Sequence, residues 1–482
     1  MAAIQLFLRR MILAISVCII LLGILLGTIG NFSHKSYVVS LLTATLIAGV
    51  LFWSQKKKQK LTVFFELQNP AKVCVLLSLF CLILNGIWVL VFHPVQAPDY
   101  QTFFQAATDL ANGETLSGKD YIAMFPHILG YAAFLSVFFR LFSANVLTAA
   151  LVNVAMTTVS GIILYLLSLK FSGRKAAFFA LLFWTLCPSK LLYNTMSLSE
   201  PFYTCLILLF FLLVSGIMDN RKEEQIGKAV LSGSLSGLVL GLVNAARPVG
   251  IIPMIAFFLW LLFIADWKRV LSRKKTVLIF SFLLLVAYFA TGKIWNCYAA
   301  DKLGQEPPTV PGYSIYVGFN PETQGSYADE DMELLQSRYF GEYDRNAEAT
   351  QQSMLESAKI RIAENRKSIS SLMIHKLGTL LGHDEGGAFY SKESLSNRGY
   401  SLCCLISNVW YYLVCMLAVS GCIATWRTPR DDSFMIIPIC LIGIVLAQLL
   451  VEVAARYHYC LIPMLILMTA PAQQEKQSER RS

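Results

Sequence analysis

Several residues in this chain are of types that handle phosphates, hydroxyls and protons, and they recur at the edges of apolar runs. Asp99 and Tyr100 stand in "HPVQAPDYQTFF", directly after a run that ends at Phe92. Glu200, in "NTMSLSEPF", immediately precedes another run, and Arg247, in "NAARPVG", separates two more. Lys376 lies in "MIHKLG", while Glu452, Arg456, Tyr457 and His458 share "VEVAARYHYCLIP" between the last two runs. A positioned carboxylate such as Asp99 can take a proton from a hydroxyl. Arginines such as Arg456 and Arg247 bind phosphate bidentately, and Lys376 adds a point charge. Ionisable groups at membrane depth are costly, so acids and bases converging there suggest a use, and they would suit an anionic, lipid-linked substrate.

Each residue also has a plainer role open to it. Asp99, after Pro98, is placed to N-cap a helix starting at Tyr100. Glu200 favours the dipole of the helix it starts. Arg247 could snorkel to an interface, and Arg456 and Tyr457 could anchor one. His375 and Lys376 could be solvated, and Asp384-Glu385 reads as a polar turn. Asn31-Phe32-Ser33 matches an acceptor sequon but is too short a pattern to carry weight.

The elements that must position these groups are membrane helices. Of 482 residues, 56% are hydrophobic and 15% charged. That is too apolar for a water-soluble chain of this length, and runs of about 20 apolar residues recur along it. The first run follows Arg9-Arg10 and lacks a small-x-small cleavage pattern, so it reads as a retained span, not a signal peptide. Most of the 12 cysteines fall inside apolar runs, where they act as small hydrophobes. No Cys/His spacing suits zinc.

The expected spans are 11–30, 37–54, 71–92, 144–169, 175–188, 201–218, 229–246, 249–266, 277–296, 401–424, 434–453 and 457–471. With these twelve, every basic cluster falls on one side: Arg9-Arg10, Lys56-Lys58, Lys170 with Arg174-Lys175, Arg221-Lys222, Lys268 to Lys275, Arg427 with Arg430, and the tail. The positive-inside rule makes that side the cytoplasm, with both termini on it and the plasma membrane as the location. The net charge of +10 is then a feature of cytoplasmic loops, and no nucleic acid is implied. "MFPHILGYAAFLSVFFRLF" (124–142) is apolar enough to span, but counting it would throw the later clusters outside. It is therefore expected at or dipping into the interface, with His127 and Arg140 near its ends.

Two external loops remain, at 93–143 and 297–400. The first holds an amphipathic helix in "YQTFFQAATDLANG", ended by Gly113. The second opens with turn signals and continues as a charged helical stretch, roughly 331–366. The fold class is thus an all-α polytopic membrane protein of about 12 transmembrane helices, with interfacial helices in both loops and a small mixed α extracytoplasmic region. Its parts are two extra N-terminal helices (1–60), a membrane core (61–296), the extracytoplasmic region (297–400) and the C-terminal helices with a cytoplasmic tail (401–482).

In order along residues 71–471, Asp99 with "FFQAATDLANG", Phe125-Pro126, "LSLKFSGRKAA", "CPSKLLYNTMSLSEPFYTCLILL", "ARPVGIIPM", "YSIYVGFNPETQGSYADED", "HKLGTLLG" and "ARYHYCLIPML" form a pattern. This set resembles the GT-C glycosyltransferases, the superfamily of the protein O-mannosyltransferases and the lipid A aminoarabinose transferase. The resemblance implies sugar transfer on the outer face from a polyprenyl-phosphate donor, with Asp99 as the catalytic acid position. It also matches Glu200 to an acidic position before a span and Arg456 to a basic one near the last span. The implied mechanism is a single inverting displacement, with Asp99 as general base and Arg456, then Arg247 and Lys376, on the donor phosphate. Tyr100, His127, Glu200, Glu452, Tyr457 and His458 would contact donor or acceptor. Protein mannosyltransferases carry an Asp-Glu pair where this chain has Asp99-Tyr100, so the acceptor stays open among glycan, lipid and protein. The sequence names no cofactor and offers no metal-ligand cluster, although Asp99 and Glu200 could share a divalent metal ion. A transporter or flippase for a lipid-linked glycan, and an O-antigen-type ligase or polymerase, remain alternatives. Against the first stands the lack of a half-to-half repeat.

Overall fold

The computed structural model describes residues 2–30, 35–55, 67–217, 226–427 and 432–470. The Asn31 sequon and the clusters at Lys56-Lys58, Arg221-Lys222, Arg430 and the tail lie outside them. Helix dominates the described residues, with no strand among them, as in an all-α polytopic membrane protein. Among the described residues, seven helices are long and apolar enough to cross a membrane, and five shorter apolar helices accompany them. Each of the twelve expected spans overlaps helix, although within 457–471 the α-helix is only Leu461–Met468 and residue 471 lies outside the described residues.

Two expected spans, 144–169 and 175–188, are the arms of one hairpin recorded as Val146–Thr185. Gly173 makes the bend with φ 84° and ψ −176°, a backbone setting open to glycine and strained for any residue with a Cβ. Trp184 Nε1 donates to the Thr157 carbonyl at 2.9 Å. In a straight helix those residues would stand about 40 Å apart, so the second arm runs back along the first.

Close helix contact in lipid depends on small residues, because apolar burial gives little advantage there. Gly233, Gly237 and Gly241 line up along Ile226–Ala246 against Lys274–Leu303, and a Cβ on Gly237 would sit 2.4 Å from the Leu284 carbonyl oxygen.

The apolar segment 124–142 forms the 15-residue helix His127–Leu141. At about 22 Å it is too short to cross a bilayer. It packs inward, with Phe134 stacked on Phe202 at 4.0 Å and Tyr131 Oη 3.2 Å from Asn153 Oδ1.

In the second loop, the expected helix 331–366 is broken. Asp329–Ser337 and Ala347–Glu364 are separate, and Asp344 and Arg345 take positive φ between them. The two helices are tied by a partly buried ion pair, Arg361 Nη2 to Asp331 Oδ1 at 2.9 Å. A further apolar helix, Ile369–Leu381, lies outside the twelve expected spans and packs on the first helix where Gly27 meets Gly382.

The bundle has two chemically distinct ends. At one, Arg9 Nη2 donates to Ile264 O at 3.2 Å, Arg10 lies 5.6 Å from the Trp426 ring, and Arg273 Nη1 donates to Ile217 O at 3.3 Å. The other end gathers most of the residues singled out in the sequence.

Candidate active site

Asp99 lies in the first turn of Pro98–Asn112. The expected capping role is corrected by the structure. The helix starts two residues earlier, with Pro98 as its first residue and Ala97 as N-cap, and no side chain caps it. Proline suits that position because its missing N–H has no partner to lose. Asp99 is thereby inside the turn, and its carboxylate is free to reach elsewhere.

It reaches Arg456. Asp99 Oδ2 accepts from Arg456 Nη2 at 2.7 Å, with the Asp99 side chain 48% exposed and Arg456 11%. Arg456 sits on the short 3-10 turn Ala455–His458, which interrupts the helical run between Ile436–Leu450 and Leu461–Met468. Its guanidinium carbon lies 5.7 Å from the Tyr100 ring, 5.3 Å from Tyr390 and 5.5 Å from Tyr457. Arg456 Nε and Nη1 are buried without an acceptor in good hydrogen-bond geometry, and the Tyr100 and Tyr457 hydroxyls stand close beside the guanidinium. Buried donors of a charged group without acceptors are costly, so this guanidinium has capacity for an anionic partner.

The second arginine stands next to the first. Arg247 follows Ile226–Ala246 and covers the Tyr457 ring at 4.3 Å. Tyr457 Oη donates to Glu452 Oε1 at 3.5 Å. Burial raises the Glu452 carboxyl above the usual range; Arg456 and Arg247 oppose the rise and Asp99 adds to it. His127, first residue of its helix, is pushed down to about 3 by burial and by the charges of Arg247 and Arg456. It is therefore a neutral imidazole at physiological pH. Glu200 is 2% exposed in the first turn of Glu200–Ser215, close enough to Arg247 to favour its cationic form. Asp99, Tyr100, His127, Glu200, Arg247, Glu452, Arg456 and Tyr457 thus share one end of the bundle.

Two of the residues singled out do not face this cluster. Lys376 is fully buried, and its Nζ donates to Gly318 O at 2.8 Å and Val451 O at 2.5 Å. It ties the segment around Gly318 to the extended stretch before Glu452, with these donors turned to carbonyls. Burial pushes its pKa down to about 8, which the nearby Glu452 opposes. His458 points to the opposite side of its turn, with Nε2 3.1 Å from Asp384 Oδ1. Asp384 and Glu385 are correspondingly more than a polar turn. Asp384 is fully buried, and Glu385 Oε2 accepts from Tyr37 Oη at 2.8 Å.

Sequence reasoning missed Tyr390 and Tyr121. Tyr390 ends the short helix Gly386–Tyr390 and packs edge-on against Tyr100 at 5.1 Å. Burial raises the Tyr121 phenol, and Asp99 and Glu452 beside it raise it further. Neither lies in a stretch with a chemical signature, and tyrosines are common throughout. Among the described residues, no group of three or more His, Cys, Asp or Glu side chains is arranged to hold a metal ion. A cavity of about 300 Å³ in the second loop is lined by Tyr316, Asn320, Asp331 and Arg361, whose polar groups pair with one another.

No family model matches the chain, and no curated protein matches it significantly in sequence. Among solved structures it is similar to ArnT from Cupriavidus metallidurans bound to undecaprenyl phosphate, with 11% identity over 82% of this chain and 77% of that one, at a TM-score of 0.37. The apo state of the same protein gives 12% identity, the same coverage and a TM-score of 0.37. An oligosaccharyltransferase from Archaeoglobus fulgidus, tethered with an acceptor peptide, gives 13% identity and a TM-score of 0.45 over 83% of this chain. This chain spans 48% of the archaeal protein's length.

Proposed function

We propose that this protein is a membrane glycosyltransferase that moves a sugar from a polyprenyl-phosphate donor to an acceptor hydroxyl, with its basic end cytoplasmic and its site on the extracytoplasmic face of the plasma membrane. The observation that carries this reading is the Asp99–Arg456 pair. It unites residues 357 positions apart, and Arg456 keeps two buried donor nitrogens without an acceptor in good hydrogen-bond geometry.

In the resting site Arg456 holds the Asp99 carboxylate. Both bidentate edges of the guanidinium include Nη2, the nitrogen that Asp99 holds, so a donor phosphate gripping either edge displaces Asp99 and frees its carboxylate. The acceptor oxygen then attacks the anomeric carbon, the bond from that carbon to the phosphate oxygen breaks, and Asp99 takes the acceptor's proton. The leaving polyprenyl phosphate carries its charge away against Arg456 and Arg247, and needs no general acid. One displacement inverts the anomeric centre. Neutral His127 adds no charge to the phosphate side. Tyr100, Tyr390 and Tyr457 give the sugar aromatic walls, and Glu200 and Glu452 supply acceptors for its hydroxyls.

The test is incubation of the purified protein with a panel of radiolabelled polyprenyl-phosphate sugars and envelope extract. Label should move to an acceptor fraction, with release of polyprenyl phosphate. Movement of intact donor across sealed vesicles without release of polyprenyl phosphate would establish a transporter in its place.

A further inference from the structure

We infer that Asp384 and His458 form a buried hydrogen-bonded dyad that positions Arg456; this rests on the phosphate-binding reading of Arg456 given above. Arg456 and His458 share the 3-10 turn Ala455–His458. With about three residues per turn, side chains two apart leave on different sides. Arg456 leaves toward Asp99, and His458 leaves toward the bundle interior.

On the interior side both ring nitrogens of His458 are engaged. His458 Nδ1 lies 2.8 Å from the Leu380 carbonyl oxygen, which can only accept, so Nδ1 carries a proton. Nε2 lies 3.1 Å from Asp384 Oδ1. One further proton must sit between them, because a bare carboxylate facing a ring lone pair would repel. The dyad is net neutral with that proton on either partner, which suits its burial at 2% exposure for His458 and 0% for Asp384. The imidazole also stacks on Tyr411, with ring centres 5.2 Å apart.

The same short segment that supplies Asp384 also shapes the outer side. Gly386, two residues on, has no room for a side chain: a Cβ would meet Tyr193 Oη at 2.1 Å and lie 3.5 Å from the Arg456 backbone nitrogen. The segment continues into Tyr390, whose ring lies under the Arg456 guanidinium. The turn itself is irregular backbone, held upstream by Glu452 N to Ser314 O at 2.8 Å and Val453 N to Gly325 O at 2.9 Å. His458–Asp384 is its downstream anchor, and it aligns the Arg456 turn with the tyrosine that supports the cation.

The experiment measures binding of undecaprenyl phosphate to the full-length protein in nanodiscs by calorimetry. His458→Phe, which keeps the stack and loses both bonds, and Asp384→Leu should each weaken binding about 10–100-fold, the range seen when partners that orient a ligating group are removed. Asp384→Asn can still donate to Nε2 and should stay near the wild-type affinity. His458→Gln, a milder change for the case in which the others unfold, should fall between. Adding His458→Phe to Arg456→Ala should cause no further loss, because the dyad acts through Arg456. Unchanged affinity in His458→Phe and His458→Gln, or an equal loss in the Arg456→Ala background, overturns the positioning role. Wild-type affinity in Arg456→Ala alone would instead overturn the phosphate reading on which it rests.

Discussion

Asp99→Asn separates chemistry from architecture because its two readouts should move differently. Asparagine has nearly the same shape and can still accept from Arg456, but it cannot take a proton. Loss of a general base costs about 10²–10⁴-fold in turnover. The ion pair it weakens is half open to solvent, with Asp99 48% exposed, so it is worth at most ~1 kcal/mol, or roughly fivefold in an equilibrium. That pair competes with the donor phosphate for Arg456. Weakening it should leave affinity for undecaprenyl phosphate unchanged or improve it by no more than that factor, while transfer collapses. The assay pairs transfer from a radiolabelled polyprenyl-phosphate sugar with calorimetric binding of undecaprenyl phosphate, at matched expression. Full transfer by Asp99→Asn would refute the general-base role. Loss of binding in parallel with transfer would show that Asp99 holds the site together and does not act on the acceptor.

Other residues make sharper local tests. Lys376 titrates near 8 when folded, against 10.5 ordinarily, so between these values the folded chain binds fewer protons than the unfolded one. Its contribution is fully present above pH 10.5 and is lost as pH falls through about 8. Thermal stability should therefore carry a component rising across that window, and the component should vanish in Lys376→Met. His127 is held down to about 3, so His127→Asn should leave the shape of the transfer pH profile between 5 and 8 unchanged; removal of a limb near pH 6.5 would show an ordinary, titrating histidine. Gly237→Val places carbon against the Leu284 carbonyl oxygen and should cost about 1–3 kcal/mol, seen as a lower thermal midpoint. An unchanged midpoint would mean the two helices are not in close contact.

The helices could be read from the sequence because apolar length is a direct physical requirement of a bilayer, and even the hairpin break was visible as the polar step around Gly173. Charge bias kept 124–142 out of the spans, and the short helix His127–Leu141 agrees with that placement. The site was legible only as a set of residue types at span ends. Which of them touch was not, because Asp99 and Arg456 are brought together by helix packing across most of the chain. Lys376 shows the limit from the other side. Its charge was visible, but its partners are the Gly318 and Val451 carbonyls, and every residue has a carbonyl. "GHDEGG" read as a polar turn because nothing local reveals that Asp384 is buried against a histidine 74 positions away.

The central claim is that Arg456 and Asp99 exchange partners when a lipid phosphate arrives. The most direct measurement is a structure of the full-length protein with undecaprenyl phosphate bound in a nanodisc. We expect the phosphate on an edge of the Arg456 guanidinium that includes Nη2, paired with Nε or Nη1, with Arg247 alongside and the 2.7 Å Asp99–Arg456 contact opened. Phosphate density at the opposite, basic end of the bundle, beside Arg9 and Arg273, with the Asp99–Arg456 pair intact, would contradict it.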